Sequence, residues 1–371
     1  MINKGRLLLI LHRSPPFHGA TQVGDFISDS VKLQDEYDCR FITIKSSNSI
    51  EAIGLFSLRK VYYLLELYAK ILWALISFSP DKIYFTASSK GFAFYRDLAL
   101  STLWKGYCFF KESDIYYDYH TKGVNGFASG STVKNILTRF FIKNVNLVLL
   151  SSLLESDFAK VNTYKRVLFL PNGTEDRLTI NEFYKIIEDK FSDFKTLNVL
   201  YLSNMIKSKG YFRVLELAKQ VKGISIQLHF AGGWQSQKDE YEFFQFIKDN
   251  NLSDKVFFHG FVNGEEKAEL FKKSHLLLFP TRYKNESFGL VIIEALSYGV
   301  PVIATDEGSI PYILNEKSGI VLSDIANLPQ ALDKARDTLV NQETSIYCRK
   351  HYLDNFTLDK FEDNLICVLK S

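Results

Sequence analysis

Residues 276–304 read LLLFPTRYKNESFGLVIIEALSYGVPVIA. The apolar run Leu276 to Phe279 has strand length and stops at Pro280, which has no N–H to donate to a ladder. A polar loop follows, then a segment of helical period from Gly289 to Tyr298, and a second apolar run from Val302 to Ala304. Strand, helix and strand within about thirty residues make a βαβ unit, and its two strands are expected to be parallel. Upstream the alternation repeats: strands at Asn198 to Leu202, Ser225 to Ala231 and Val256 to His259, separated by helical stretches at Tyr211 to Val221, Asp239 to Asn250 and Gly264 to Lys273. The first half of the chain alternates likewise. Its strands are expected at Arg6 to Leu11, Arg40 to Ile44, Lys82 to Thr86, Asp114 to Tyr119, Asn146 to Leu150 and Val167 to Leu170, with helices at Gly24 to Gln34, Leu58 to Phe78, Gly91 to Trp104 and Thr132 to Lys143. Residues 173–196, introduced by Pro171-Asn172 and opening on Gly173, run polar, with one short helix, and read as a linker. The expectation is an α/β protein of two doubly wound, Rossmann-like lobes, residues 1–172 and 197–354, with a helical tail over 355–371.

Composition narrows the function classes. The chain has 371 residues, 46% hydrophobic and 23% charged, and its net charge of +3 comes from interspersed signs, which is no footprint for nucleic acid. Four cysteines lie far apart, without a CxxC pair, and read as reduced thiols of a cytoplasmic chain. The run Leu7 to Leu11 is too short for a leader core. Val61 to Phe78 is the most apolar long segment, but Glu66 and Lys70 interrupt it as an i,i+4 pair, so core packing is expected. Arg59, Lys60 and the aromatic helix after them leave contact with a membrane surface open.

Within 279–304, Glu286 and Glu294 flank the helix start at Gly289. The backbone N–H groups of Phe288, Gly289 and Leu290 would point out of that start, a seat for a diphosphate. Glu294 stands among apolar residues, where its carboxylate suits vicinal hydroxyls better than bulk solvent. By spacing alone an acid at a helix start and an acid on a solvated face account for the pair better than a site does, because Glu pairs are common; only the apolar flanks of Glu294 argue against the second. In the first half, the Gly- and Pro-rich segment Ser14 to Gly24, including Gly19, follows the first strand, and His120 terminates the fourth. Either could serve a ligand or be plain structure.

The segment FPTRYKNESFGLVIIEALSYGVPVIA resembles the E-x7-E signature of the family 4 glycosyltransferases, retaining enzymes of the GT-B fold. LYLSNMIKSKG (200–210), AGG (231–233), FHGFV (258–262) and LPNGTE (170–175) resemble further motifs of that family, in its order. The resemblance implies two lobes facing across a cleft, the second holding a nucleotide-diphosphate sugar, with a UDP-sugar the favoured donor. Glu294 would hold the ribose, Glu286 the donor sugar's hydroxyls, and Lys209 with Phe288 to Leu290 the pyrophosphate. Gly260, Phe261 and Val262 would pack on the base, and Gly19 and His120 would meet the donor from the first lobe. It also implies transfer to a glycan or lipid-linked acceptor in cell-surface polysaccharide synthesis, no cofactor beyond the donor, and a tail helix returning to the first lobe. Asn204 stands where most members have arginine, His18 where a second glycine is usual, and Ser309 and Tyr312 depart from the later Gly and Glu. Arg282 or Lys284 would be the substitutes for the missing cation. No Asp-x-Asp occurs, so no metal is expected on the diphosphate, and GxSxG, Walker and GxGxxG motifs are absent. A nucleotide-sugar epimerase and a catalytically silent donor-binding subunit are the alternatives: the first would turn over donor without an acceptor, the second would bind it unchanged.

Overall fold

The structure, a computed structural model, describes residues 4–15, 19–44, 58–192, 194–221 and 225–371, and the side chains of 58–60 are outside the description. His18 and the side chains of Arg59 and Lys60 therefore lie outside the described residues.

The chain divides into two units, residues 1–172 with 358–371, and residues 173–357. The first carries β1 (Arg6–His12), β2 (Asp38–Ile44), β3 (Lys82–Thr86), β4 (Asp114–Tyr119), β5 (Asn146–Leu149) and β6 (Arg166–Phe169), in the order β2-β1-β3-β4-β5-β6. The second carries β7 (Leu197–Leu202), β8 (Ile226–Ala231), β9 (Val256–Phe258), β10 (Leu276–Phe279), β11 (Val302–Thr305) and β12 (Gly319–Leu322), in the order β12-β11-β10-β7-β8-β9. All pairings within both sheets are parallel. Parallel strands are covered on both faces, which is why they read as continuous apolar runs. Leu7, Leu8, Leu9 and Ile10 are fully buried, as are Leu276, Leu277 and Leu278, each contributing roughly 1.5–3 kcal/mol of transfer free energy.

In the first unit the order reverses beside β1, so right-handed crossovers put the helices on two faces. On one face, Phe361 and Leu365 of the Leu358–Lys370 helix pack with Leu7, Leu9, Val23 and Ile27, and Lys32 pairs with Asp363 at 2.7 Å. The other face carries the Leu58–Phe78, Gly91–Tyr107 and Thr132–Ile142 helices.

The first helix begins earlier than the sequence suggests, at Gly19 and not Gly24. Gly24 is inside the helix because strand and helix touch there: a Cβ would lie 1.9 Å from the His12 carbonyl oxygen. A glycine needed for close packing thus reads, in sequence, like the end of a loop.

Residues 173–196 include a helix, Ile180–Phe191, and group by their contacts with the second unit. Thr179 and Glu182 close a capping box at its start, and Phe183 and Ile187 are buried. Asp176 holds Arg349 through two bonds, 2.7 and 2.8 Å, while Arg349 also donates to the carbonyls of Ser297 and Leu178.

Candidate functional site

In the second unit, β8 and β9 lie on one side of β7, and β10, β11 and β12 on the other. The order reverses between β7 and β10, and ligands of open α/β sheets bind at the carboxyl ends beside such a reversal. Two loops leave from there, 203–210 after β7 and 280–289 after β10.

Lys209 and Glu286, one on each loop, meet with Nζ 3.3 Å from Oε2, and both side chains are largely shielded, 17% and 11% exposed. The lysine also lies over the rings of Phe279 and Tyr283, at 5.9 and 5.4 Å. The loops are fixed by backbone contacts. Arg282 N donates to Ser208 O at 2.7 Å, Met205 N to Gly233 O at 2.9 Å, and Gly232 N to Gly260 O at 2.7 Å, so the loops after β7, β8, β9 and β10 form one connected platform. Gly210 has φ of +90°, and a Cβ there would lie 2.3 Å from the Pro280 carbonyl oxygen. Only glycine allows that approach. Behind the acidic loop, Ser309 N donates to Ser287 O at 2.8 Å. The Gly-Ser departure at 308–309 therefore supports the backbone that carries Glu286.

The helix expected from Gly289 runs Leu290–Ser297, with Gly289 as its left-handed N-cap. Phe288 is buried, with an edge contact to Phe356 at 6.4 Å between centroids. Glu294, on this helix, is 15% exposed and bonds Lys267 Nζ at 2.6 Å. Lys267 comes from the neighbouring Gly264–Lys273 helix. Sequence reasoning missed it, since nothing local separates Lys267 from Lys272 and Lys273, which pair with Glu265 and Glu269.

Asn204 follows β7 and is exposed. Arg282, a candidate for the place of the missing cation, has its guanidinium held by Asp306 at 2.6 Å, by Glu307 and by the Ser323 carbonyl. Lys284 is exposed on the loop. Gly260, Phe261 and Val262 follow β9, with Gly260 at φ of +69° and Phe261 65% exposed.

A cavity of about 480 Å³ lies against the β7–β9 strands, with Val262, Glu266, His229 and His259 in its wall, and neither Lys209 nor Glu286. It therefore reaches the loop after β9 but not the charged pair. His229 and His259 share one hydrogen bond at 3.0 Å. Burial, then the neighbouring His259 and Lys273, push the His229 imidazolium down to about 4. Between about 6.5, the ordinary histidine value, and 4 the unfolded chain binds more protons than the folded one. This contribution to stability is complete above pH 6.5 and is lost as pH falls through 4. Urea unfolding midpoints should drop on acidification over that window, and H229Q should flatten the drop; an unchanged profile in H229Q would refute the assignment.

In the first unit His120 follows β4 and is 7% exposed, its Nε2 2.7 Å from Asp118 Oδ2. Asp118 is itself buried, so it orients the imidazole. Gly19 opens the Gly19–Asp29 helix and is exposed. Asp25 of that helix receives Ser14 Oγ at 2.5 Å and Arg13 Nε at 3.3 Å, tying the described start of the preceding loop to the helix.

Among the described residues, no group of three or more His, Cys, Asp or Glu is placed to hold a metal ion.

Residues 184–351 match the family model described as glycosyl transferases group 1. The chain is similar to the N-acetyl-alpha-D-glucosaminyl L-malate synthase of Bacillus anthracis, 27% identical over 56% of this chain and 54% of that protein. The chain spans about half the length of the first curated relatives it matches. Among solved structures it is similar to Anabaena HepE in complex with UDP-glucose, with a TM-score of 0.69 at 15% identity over 98% of this chain and 99% of that one. It is also similar to the apo form of the lipopolysaccharide outer core galactosyltransferase WaaB, with a TM-score of 0.71 at 15% identity over 98% and 99%. These likenesses extend over nearly the whole chain, and the fold is GT-B.

Proposed function

We propose, from the match of residues 184–351 to the glycosyl transferases group 1 family model, that this chain is a retaining glycosyltransferase that moves a sugar from a UDP-sugar to a glycan or lipid-linked acceptor in cell-surface polysaccharide synthesis, in the cytoplasm. The observation that carries the reading is the Lys209–Glu286 pair at the reversal of the second sheet. Lys209 supplies a shielded cation for the diphosphate, and the amides opening the Leu290–Ser297 helix add partial positive charge beside it. As the glycosidic bond breaks, negative charge grows on the leaving diphosphate. A preorganised cation and amides stabilise that charge at no cost of rearrangement, with no metal required. Glu286 orients the donor sugar's hydroxyls, and Glu294, held by Lys267, accepts from the ribose. Phe261 and Val262 flank the base beside Gly260. Asn204 leaves Lys209 as the principal cation of the platform. Gly19 and His120 are proposed as donor contacts of the first unit, with Asp118 setting the imidazole. No enzyme nucleophile is invoked, because the leaving phosphate oxygen can take the acceptor's proton on the face from which the acceptor attacks.

The test is a thermal-shift panel of UDP-, GDP- and ADP-sugars, followed by donor turnover with and without acceptor. UDP-sugars should raise the melting temperature by mass action, and E286Q should retain most of that rise while losing turnover. Turnover at the wild-type rate in E286Q, or no melting shift with any donor, would overturn the reading. Turnover of donor to a second nucleotide sugar without acceptor would identify an epimerase instead.

A further inference from the structure

The Leu58–Phe78 helix does not have the buried surroundings its apolar sequence suggests: only 28% of Val61–Phe78 is buried. One face is anchored, with Leu67, Ile71, Ala74 and Leu75 in the interior of the first unit. The opposite face exposes Tyr62, Leu65, Ala69, Leu72, Trp73 and Ile76. At 3.6 residues per turn those positions fall within about 100° of the helix circumference and form a stripe roughly 21 Å long. Trp73 is 68% exposed.

Two further exposed aromatic residues lie near the helix's C-terminal end. Phe109 and Phe110 stand 88% and 94% exposed in a turn fixed by Phe109 N to Gly106 O and Phe110 N to Tyr107 O. That turn sits beside the end of the Leu58–Phe78 helix, because Lys111 Nζ bonds Ser79 O at 2.5 Å and Tyr107 shares a hydrogen bond with Ser79 Oγ at 3.1 Å. The same helical layer is basic. Among the described side chains, the Leu58–Phe78, Gly91–Tyr107 and Thr132–Ile142 helices carry five lysines and arginines, Lys70, Arg96, Lys105, Lys134 and Arg139, against two acids, Glu66 and the fully buried Asp97.

We propose that this layer of the first unit docks on an anionic lipid bilayer, with the 62–76 stripe and Phe109–Phe110 lying in the interface and the lysines and arginines meeting the headgroups. Among the described residues this is the one helix long and apolar enough to cross a membrane. Its opposite face is built into the unit's core, so it lies on the surface rather than spanning it. Apolar area on one side of a helix with flanking cations is the chemistry of interfacial binding. An apolar protein partner would leave the excess of cations without a counterpart.

The test uses the full chain with vesicles of phosphatidylcholine alone or mixed with phosphatidylglycerol. Wild type should float with the anionic vesicles and not with the neutral ones. The emission of Trp73, the most exposed of the three tryptophans, should shift to the blue on binding. The double variant L72E/I76E, at exposed positions, should keep the wild-type melting temperature and lose at least tenfold of its vesicle-bound fraction. W73F should abolish the emission shift while leaving flotation. Equal flotation of wild type and L72E/I76E, or no flotation of wild type, would overturn the proposal. So would a concentration-dependent dimer that L72E/I76E abolishes, which would assign the stripe to a second copy of the chain. None of these outcomes bears on the Lys209–Glu286 site.

Discussion

Lys209→Ala is expected to lower donor turnover by about two to three orders of magnitude, the usual cost of removing one preorganised group that stabilises a leaving anion. Lys209 is the shielded cation at the sheet reversal, and Arg282, the nearest sequence candidate for a replacement, is occupied by Asp306 and Glu307. The loss should therefore fall mainly in kcat. A structural role predicts something different. Removing either partner of a shielded ion pair destabilises the fold by stranding the other charge, whereas replacing both with neutral groups of similar size restores stability. The double variant K209M/E286Q separates the two: its melting temperature should recover relative to K209A while turnover stays lost. Recovery of turnover along with stability would show that the pair serves only the fold.

A second large effect is expected at Asp176. Its carboxylate holds Arg349, whose side chain is 4% exposed, through two bonds of 2.7 and 2.8 Å. Asp176→Ala leaves that guanidinium buried with only the carbonyls of Ser297 and Leu178 as acceptors. Stranding a buried charge costs about 3–5 kcal/mol, read as a lower urea midpoint at unchanged slope. Arg349 also lies over the rings of Phe183 and Tyr352, at 5.6 and 5.7 Å, so residues 174–178 and the helices of the second unit should loosen together. A change below about 1 kcal/mol would mean that the ion pair is not what fastens this segment.

Much of the architecture was legible because helical and strand periods are local properties. Leu276–Phe279, Val302–Thr305 and Lys82–Thr86 declared themselves through length and unbroken apolarity, since a parallel strand is covered on both faces. Glycine was ambiguous where its role was contact. Gly24 read as the close of a loop, yet it sits where helix and strand touch. The 173–196 segment read as linker because a polar run cannot reveal that Asp176 meets Arg349, 173 positions later.

The amino-acid order by itself determined the succession of strands and helices, the two glutamates with seven residues between them around a helix start, and the glycines that let loops approach. Tertiary structure alone decided that Lys209 faces Glu286, that Lys267 rather than Lys272 or Lys273 holds Glu294, and which side of the 58–78 helix is left bare. The physical reason is that an amphipathic period states only that a face is apolar. Whether that face meets a sheet or solvent, and which distant cation meets which acid, follows from strand order and crossover handedness, to which no short window of sequence has access.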